Sequence, residues 1–166
     1  MEDNYCRNSR LVYHYTVGSN FKLILASGCI LPATEGVSPA QRPIVWFSTN
    51  PLWENTVTKG IPVVCGSYVD MGWAEFNRYG IPLIRIGVAL ETAPLRWRDM
   101  REQGLIPASI ASSLVRVAKR QYAHSGEWRG TFDPVPAEKW LALETYNVPA
   151  MRWEEYHEQP LDGRAA

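Results

Sequence analysis

Two short runs, Leu11-Val-Tyr-His-Tyr-Thr16 and Ile44-Val-Trp-Phe-Ser-Thr49, restrict this chain more than any other feature. Both are dense in β-branched and aromatic residues, the side chains that suit a pleated, half-buried surface, and both read as strands. A helix follows the first at once. Ser19 or Asn20 supplies its cap, Phe21, Ile24 and Leu25 fall on one helical face, and Gly28 stands where a left-handed residue ends a helix. The stretch 30–43, with three prolines and a glycine, reads as a loop, and Asn50-Pro51 stops the second strand.

Further along, 63–68 and 83–90 read as strands, each entered through an Ile-Pro pair. Ile110, Ala111, Leu114, Val117 and Ala118 predict a helix over 108–121, with Pro107 near its first turn and Lys119 and Arg120 near its last. Strands at 128–134 and 140–146 close the chain, joined by a Pro-Val-Pro-Ala-Glu-Lys turn region. Residues 1–10 and 159–166 carry no pattern and read as loose termini. Strands outnumber long helices, so the fold class is α+β. At 166 residues the chain accommodates one sizeable core, and a single domain over 1–166 is expected.

Charge and cysteine usage narrow the partners. Lys plus Arg equals Asp plus Glu at 17 each, so no global field draws the chain to nucleic acid or an anionic membrane. Cys6, Cys29 and Cys65 lie far apart and odd in number, which fits buried free thiols in a reducing, cytoplasmic compartment. No apolar run reaches the ~18 residues of a membrane helix. His14, His124 and His157 lack metal-ligand spacing, and there is neither a Gly-x-Ser-x-Gly elbow, a dinucleotide-fold glycine turn nor a phosphate loop.

The candidate polar residues sit on strands. Alternation puts His14 on the face of Val12 and Thr16, with Tyr13 and Tyr15 opposite. It likewise joins Ser48 to Trp46 and Phe47 to Thr49, so that one pair or the other faces a cleft. Arg85, between Ile84 and Ile86, needs either a cleft or a carboxylate. Glu127 opens a strand beside the His124-Ser-Gly126 turn, and Arg129 shares its face. Glu144 lies opposite Leu141 and Leu143, which are expected in the core. Each has a plainer reading: a strand histidine held by a backbone carbonyl, core aromatics, ordinary ion pairs.

The order of His14-Tyr-Thr, capped helix, Gly28, Cys29-Ile-Leu, loop, Val45-Trp-Phe-Ser-Thr49 and a late acid-led strand, Glu127-Trp-Arg-Gly-Thr, resembles the ADP-ribosyltransferase fold. The likeness is to small bacterial and phage-type members with a histidine as first motif. It covers the first fifty residues or so and, more loosely, the last forty, leaving the middle unmatched. The resemblance implies a split β-sheet core and NAD as substrate, without a metal. It places His14 on ribose hydroxyls with Tyr15 as backbone neighbour and Thr16 adding a hydroxyl. Trp46, Phe47, Ser48 and Thr49 would supply the strand end against the nicotinamide, with Phe47 and Ser48 as binding residues and Ser48 helping to orient the acid. Glu127 would be the catalytic carboxylate, with Glu144 its competitor, while Arg85 would serve the diphosphate. The implied activity is mono-ADP-ribosyl transfer to a protein or small-molecule acceptor, as in toxins and anti-defence factors. RNA 2′-phosphotransferases share the fold and NAD but need further histidine and arginine positions absent here. The alternatives are NAD glycohydrolysis and a non-catalytic binding module.

Overall fold

The computed structural model describes residues 11–62 and 68–157. Its frame is a seven-stranded antiparallel sheet in the order β11-β10-β6-β1-β3-β8-β7. The strands are β1 (Leu11–Val17), β3 (Val45–Ser48), β6 (Leu83–Ala89), β7 (Leu95–Arg96), β8 (Trp128–Thr131), β10 (Trp140–Asn147) and β11 (Arg152–Glu155). Two small pairs flank it: β2 (Cys29–Ile30) with β9 (Val135–Pro136), and β4 (Lys59–Pro62) with β5 (Tyr68–Met71). The helices are α1 (Gly18–Ser27), α2 (Trp73–Arg78), α3 (Trp97–Gln103) and α4 (Ala108–Arg120). The class is α+β, with a large antiparallel sheet and a few helices.

Alternation along the strands decides which residues form which core. On one face Val12, Phe47, Ile84, Ile86 and Val88 pack beneath α1, whose Phe21 is buried with Ile30 and Val135. Each such aliphatic side chain contributes about 1.5–3 kcal/mol by leaving water. The other face carries two separate clusters. Tyr13, Tyr15, Val17 and Leu83 pack with Trp53, Met71 and Phe76 under β1 and β6. Ile44, Met100, Ala118 and Trp128 form the second, under β3 and β8. The gap between these two clusters positions the site.

Several local expectations are met and others corrected. Gly28 ends α1 in the left-handed region, φ 63°, its N–H bonding the Ile24 and Leu25 carbonyls. Ser19 and Asn20 do not cap that helix. Its cap is Val17, two residues before Ser19, and the Val17 side chain makes no cap bond, while Gly18 N–H donates to the Pro82 carbonyl at 2.8 Å. Leu25 is exposed, so Phe21 and Ile24 alone carry the apolar face. In β10 the register shifts between Trp140 and Ala142, so Leu141 bulges outward, 63 % exposed, while Trp140 and Leu143 reach the core. The strand β11 arises where no pattern is legible: Arg152-Trp-Glu-Glu155 is an edge strand with one buried-side tryptophan. The expected strand at 63–68 lies outside the described residues save Tyr68, as do both termini, Cys6 and Cys65; Cys29 is a half-buried free thiol.

Candidate functional site

β1 and β3 stand side by side but are in register at one pair, Tyr13–Ser48. Where Tyr15 would continue the ladder opposite Trp46, the imidazole of His14 intervenes. Its Nδ1 lies 2.9 Å from the Trp46 carbonyl oxygen, so Nδ1 carries the hydrogen and donates. The strands part beyond this point, and a cleft of about 440 Å³ opens at the seam. His14, Tyr15, Phe47 and Ser48 all line it, together with Tyr13, Trp46, Trp128 and Glu54. Leu114 and Val117 of α4 close one side. Val117 is 42 % exposed, while Leu114 also packs against the Ile44, Met100, Ala118 and Trp128 cluster.

Because the seam opens through the sheet, the cleft draws on both faces. Trp46 and Ser48 come from the side of Tyr13, Phe47 and His14 from the other, and all four border one space. Residues of both alternating sets of β3 border the cleft, where the sequence led to the expectation of one pair. A second hollow of about 370 Å³ shares His14, Tyr15 and Ala33 with the first and runs on past Thr16 and Asn20 along α1. Thr16 itself is 2 % exposed.

Glu127 ends a 3₁₀ turn, Ser125–Glu127, and precedes β8. It stands beside the cleft, outside its described lining. Its Oε2 accepts from Asn50 Nδ2 at 3.4 Å, and its main-chain carbonyl accepts from the Thr49 N–H at 2.9 Å. Asn50 N–H in turn donates to Ser48 Oγ at 3.1 Å, and the Tyr15 hydroxyl donates to the Asn50 carbonyl at 2.5 Å. Ser48 thus reaches the acid through Asn50 rather than directly. Burial pushes the Tyr15 phenol well above its ordinary value, against the opposing pull of the Arg85 guanidinium. Tyr13 moves the same way, again chiefly through burial.

Arg85 and Glu144 occupy a different place. They lie opposite one another on β6 and β10, bonded in a fork at 2.6 and 2.9 Å. The Arg85 guanidinium also donates to the Pro51 carbonyl and stacks over the rings of Tyr13, at 4.4 Å, and Trp153, at 4.7 Å. Arg85, expected at the diphosphate, lies outside the described lining of this cleft, and its guanidinium meets the Glu144 carboxylate. Glu144, the alternative acid, is the partner in that pair and also lies outside the described lining of the cleft. Arg129 does not pair with Glu127; it donates to the carbonyls of Gly126 and Trp128 and faces Arg96 across β7 and β8.

Glu54 is the residue missed from sequence. It is 5 % exposed, lines the cleft, and closes a turn in which its Oε1 accepts from Thr56 N–H at 3.3 Å and Thr56 Oγ1 at 2.7 Å. Its Oε2 is buried without a hydrogen-bond partner, as is Nε1 of Trp128 across the same lining. The available signal was an acid flanked by Trp53 and Thr56 directly behind the Asn50-Pro51 stop. No group of His, Cys, Asp and Glu able to hold a metal occurs among the described residues, and no helix there is long and apolar enough to cross a membrane. No protein-family model, no curated protein and no solved structure matches this chain.

Proposed function

We propose that the cleft between β1 and β3 binds NAD, and that the protein transfers its ADP-ribose to a protein or small-molecule acceptor in the manner of a cytoplasmic ADP-ribosyltransferase. The parted seam carries this reading, because it brings the two separate sequence motifs, His14 and Trp46–Ser48, to one aromatic-walled space. Flat faces of Trp46, Phe47 and Trp128 suit a nicotinamide ring. His14, held in one orientation by the Trp46 carbonyl, suits a ribose hydroxyl. As the bond from ribose C1′ to the nicotinamide nitrogen breaks, its electron pair leaves with neutral nicotinamide and positive charge spreads over C1′ and the ring oxygen. Glu127, aimed by Asn50, is the carboxylate assigned to that charge, and the acceptor closes the reaction by attacking C1′ and losing its proton. Such a positioned charge contributes about 3–4 kcal/mol to the barrier. With water as acceptor the same step is NAD hydrolysis.

A second reading, a module that binds without turnover, is favoured by one observation. Glu127 stands outside the described lining, and Arg85 and Glu144 neutralise each other, so no described lysine or arginine lines the cleft to meet a diphosphate.

Purified protein, labelled NAD and cell lysate separate the two, with Glu127→Gln and His14→Ala run alongside. The expected result is label transfer or nicotinamide release by the wild type, reduced roughly 100-fold or more in Glu127→Gln while NAD still raises the melting temperature. Stabilisation by NAD with no turnover in any lysate would leave the binding module. If NAD neither reacts nor stabilises the wild type, the whole reading is lost.

A further inference from the structure

We infer that Glu54 selects the charge state of the ligand: its carboxylate faces the cationic nicotinamide ring of oxidised NAD, and the cleft disfavours the neutral, reduced form. The inference rests on the NAD reading and adds to it a recognition residue and a selectivity.

Three observations lead there. First, Glu54 is buried to within 5 % exposure, and one of its two oxygens closes the turn with Thr56 while the other has no donor. A carboxylate oxygen buried in that way is costly, and a glutamine would close the turn as well through the same oxygen. The second oxygen is therefore a buried acceptor with no donor on it. Second, Glu54 is the only carboxylate in the described lining of the cleft, and no described lysine or arginine lines it in opposition. Third, the aromatic residues Tyr15, Trp46, Phe47 and Trp128 border the same space. Aromatic faces attract cations through their quadrupoles, so rings and carboxylate together favour a flat positive group over a neutral or anionic one.

Oxidised NAD carries such a group, a pyridinium whose charge lies within the ring. Reduced NAD presents a ring of almost the same size and the same carboxamide without the charge. Shape alone barely separates the two; a buried carboxylate does. The contact also survives the reaction, since the positive charge moves only from the ring nitrogen to the adjoining ribose carbon as the bond breaks.

The test is calorimetric titration of wild-type protein and Glu54→Gln with NAD and with NADH, each alone. The wild type is expected to bind NAD about tenfold or more tighter than NADH, and Glu54→Gln to weaken NAD about tenfold while changing NADH by less than about twofold. The free variant is expected to melt no lower than the wild type, because the Thr56 contacts are retained; a purely structural glutamate would lower the melting point and leave the preference intact. Equal binding of NAD and NADH by the wild type, or an undiminished preference in the variant, overturns the role of Glu54 while NAD binding stands. Binding of neither form by the wild type removes the NAD reading and this inference together. Should Glu54→Gln not fold, Glu54→Asp, which draws the carboxylate back by one methylene, is titrated in its place, and a preference left intact there overturns the role.

Discussion

Glu144→Gln and Arg85→Met, singly and together, test whether these side chains exist to neutralise each other. Their side chains are 22 % and 9 % exposed and joined by a fork at 2.6 and 2.9 Å. Removing one partner of a buried pair costs about 3–5 kcal/mol, because the survivor keeps its desolvation penalty without its counter-charge. In Glu144→Gln the guanidinium retains the Pro51 carbonyl and two ring faces, and water reaches the partly exposed position of Glu144. The lower end, about 3 kcal/mol, is therefore expected. Arg85→Met strands Glu144 instead and should cost about as much. The double variant holds no unpaired charge, and methionine fills the space between Tyr13 and Trp153, so its loss should match one single variant rather than the sum. The implied coupling is about 3 kcal/mol. For a chain of this size each kcal/mol shifts the melting point by about 2–4 °C, so each single variant should melt about 6–12 °C below the wild type. Urea unfolding followed by tryptophan fluorescence supplies the free energies. Additive losses, or single losses under about 1 kcal/mol, would refute mutual neutralisation and return Arg85 to the set of groups able to serve a ligand.

Two further outcomes follow from packing and burial. Gly130 lies where an added Cβ would strike Met100 Sδ and come within 2.9 Å of Ile44 Cγ2, so Gly130→Ala should lose about 1–3 kcal/mol in urea unfolding; an unchanged midpoint would show that Met100 moves aside freely. Tyr15 has its folded-state value raised above the ordinary 10.0, so the unfolded chain loses the phenol proton first as pH rises. Its contribution is complete below about pH 10 and declines above it by up to about 1.4 kcal/mol per pH unit, until the folded phenol also ionises. Tyr15→Phe should flatten that alkaline slope in melting curves taken from pH 8 to 11, and a slope as steep as wild type would assign the effect to other tyrosines.

The strands were legible wherever burial on one or both faces imposes a pattern. Leu83–Ala89 is nearly continuous apolar sequence because both faces of the sheet are covered there, and Leu11–Val17 alternates aromatic and aliphatic residues between two cores. Helices α2 and α3 were not legible: each is under eight residues with one buried side chain, Phe76 or Met100, too short to establish a period. Strand faces were legible only while the ladder stays regular. The bulge at Leu141 reversed the expected sides of Trp140 and Leu141, and the parted seam put both faces of β3 into one cleft. Pairing between strands distant in sequence sets both features, and no local window contains it.

That limit explains why the candidate acids sort as they do. Glu127 and Glu144 drew notice because each sits at or in a strand, yet a strand position says only which way a side chain points, not what it meets. Glu144 meets a guanidinium; Glu127 meets an asparagine beside the cleft. Glu54 sits in a turn that periodicity treats as mere punctuation, and it alone carries a carboxylate oxygen into the described lining with no donor on it. That lining holds one carboxyl group, Glu54, among aromatic residues and no described lysine or arginine. A cleft of this character would repel an anionic ligand presented phosphate first. In the proposed reaction Glu54 faces the cationic ring of bound NAD and Glu127 the charge that forms on the ribose, which gives the two acids separate tasks.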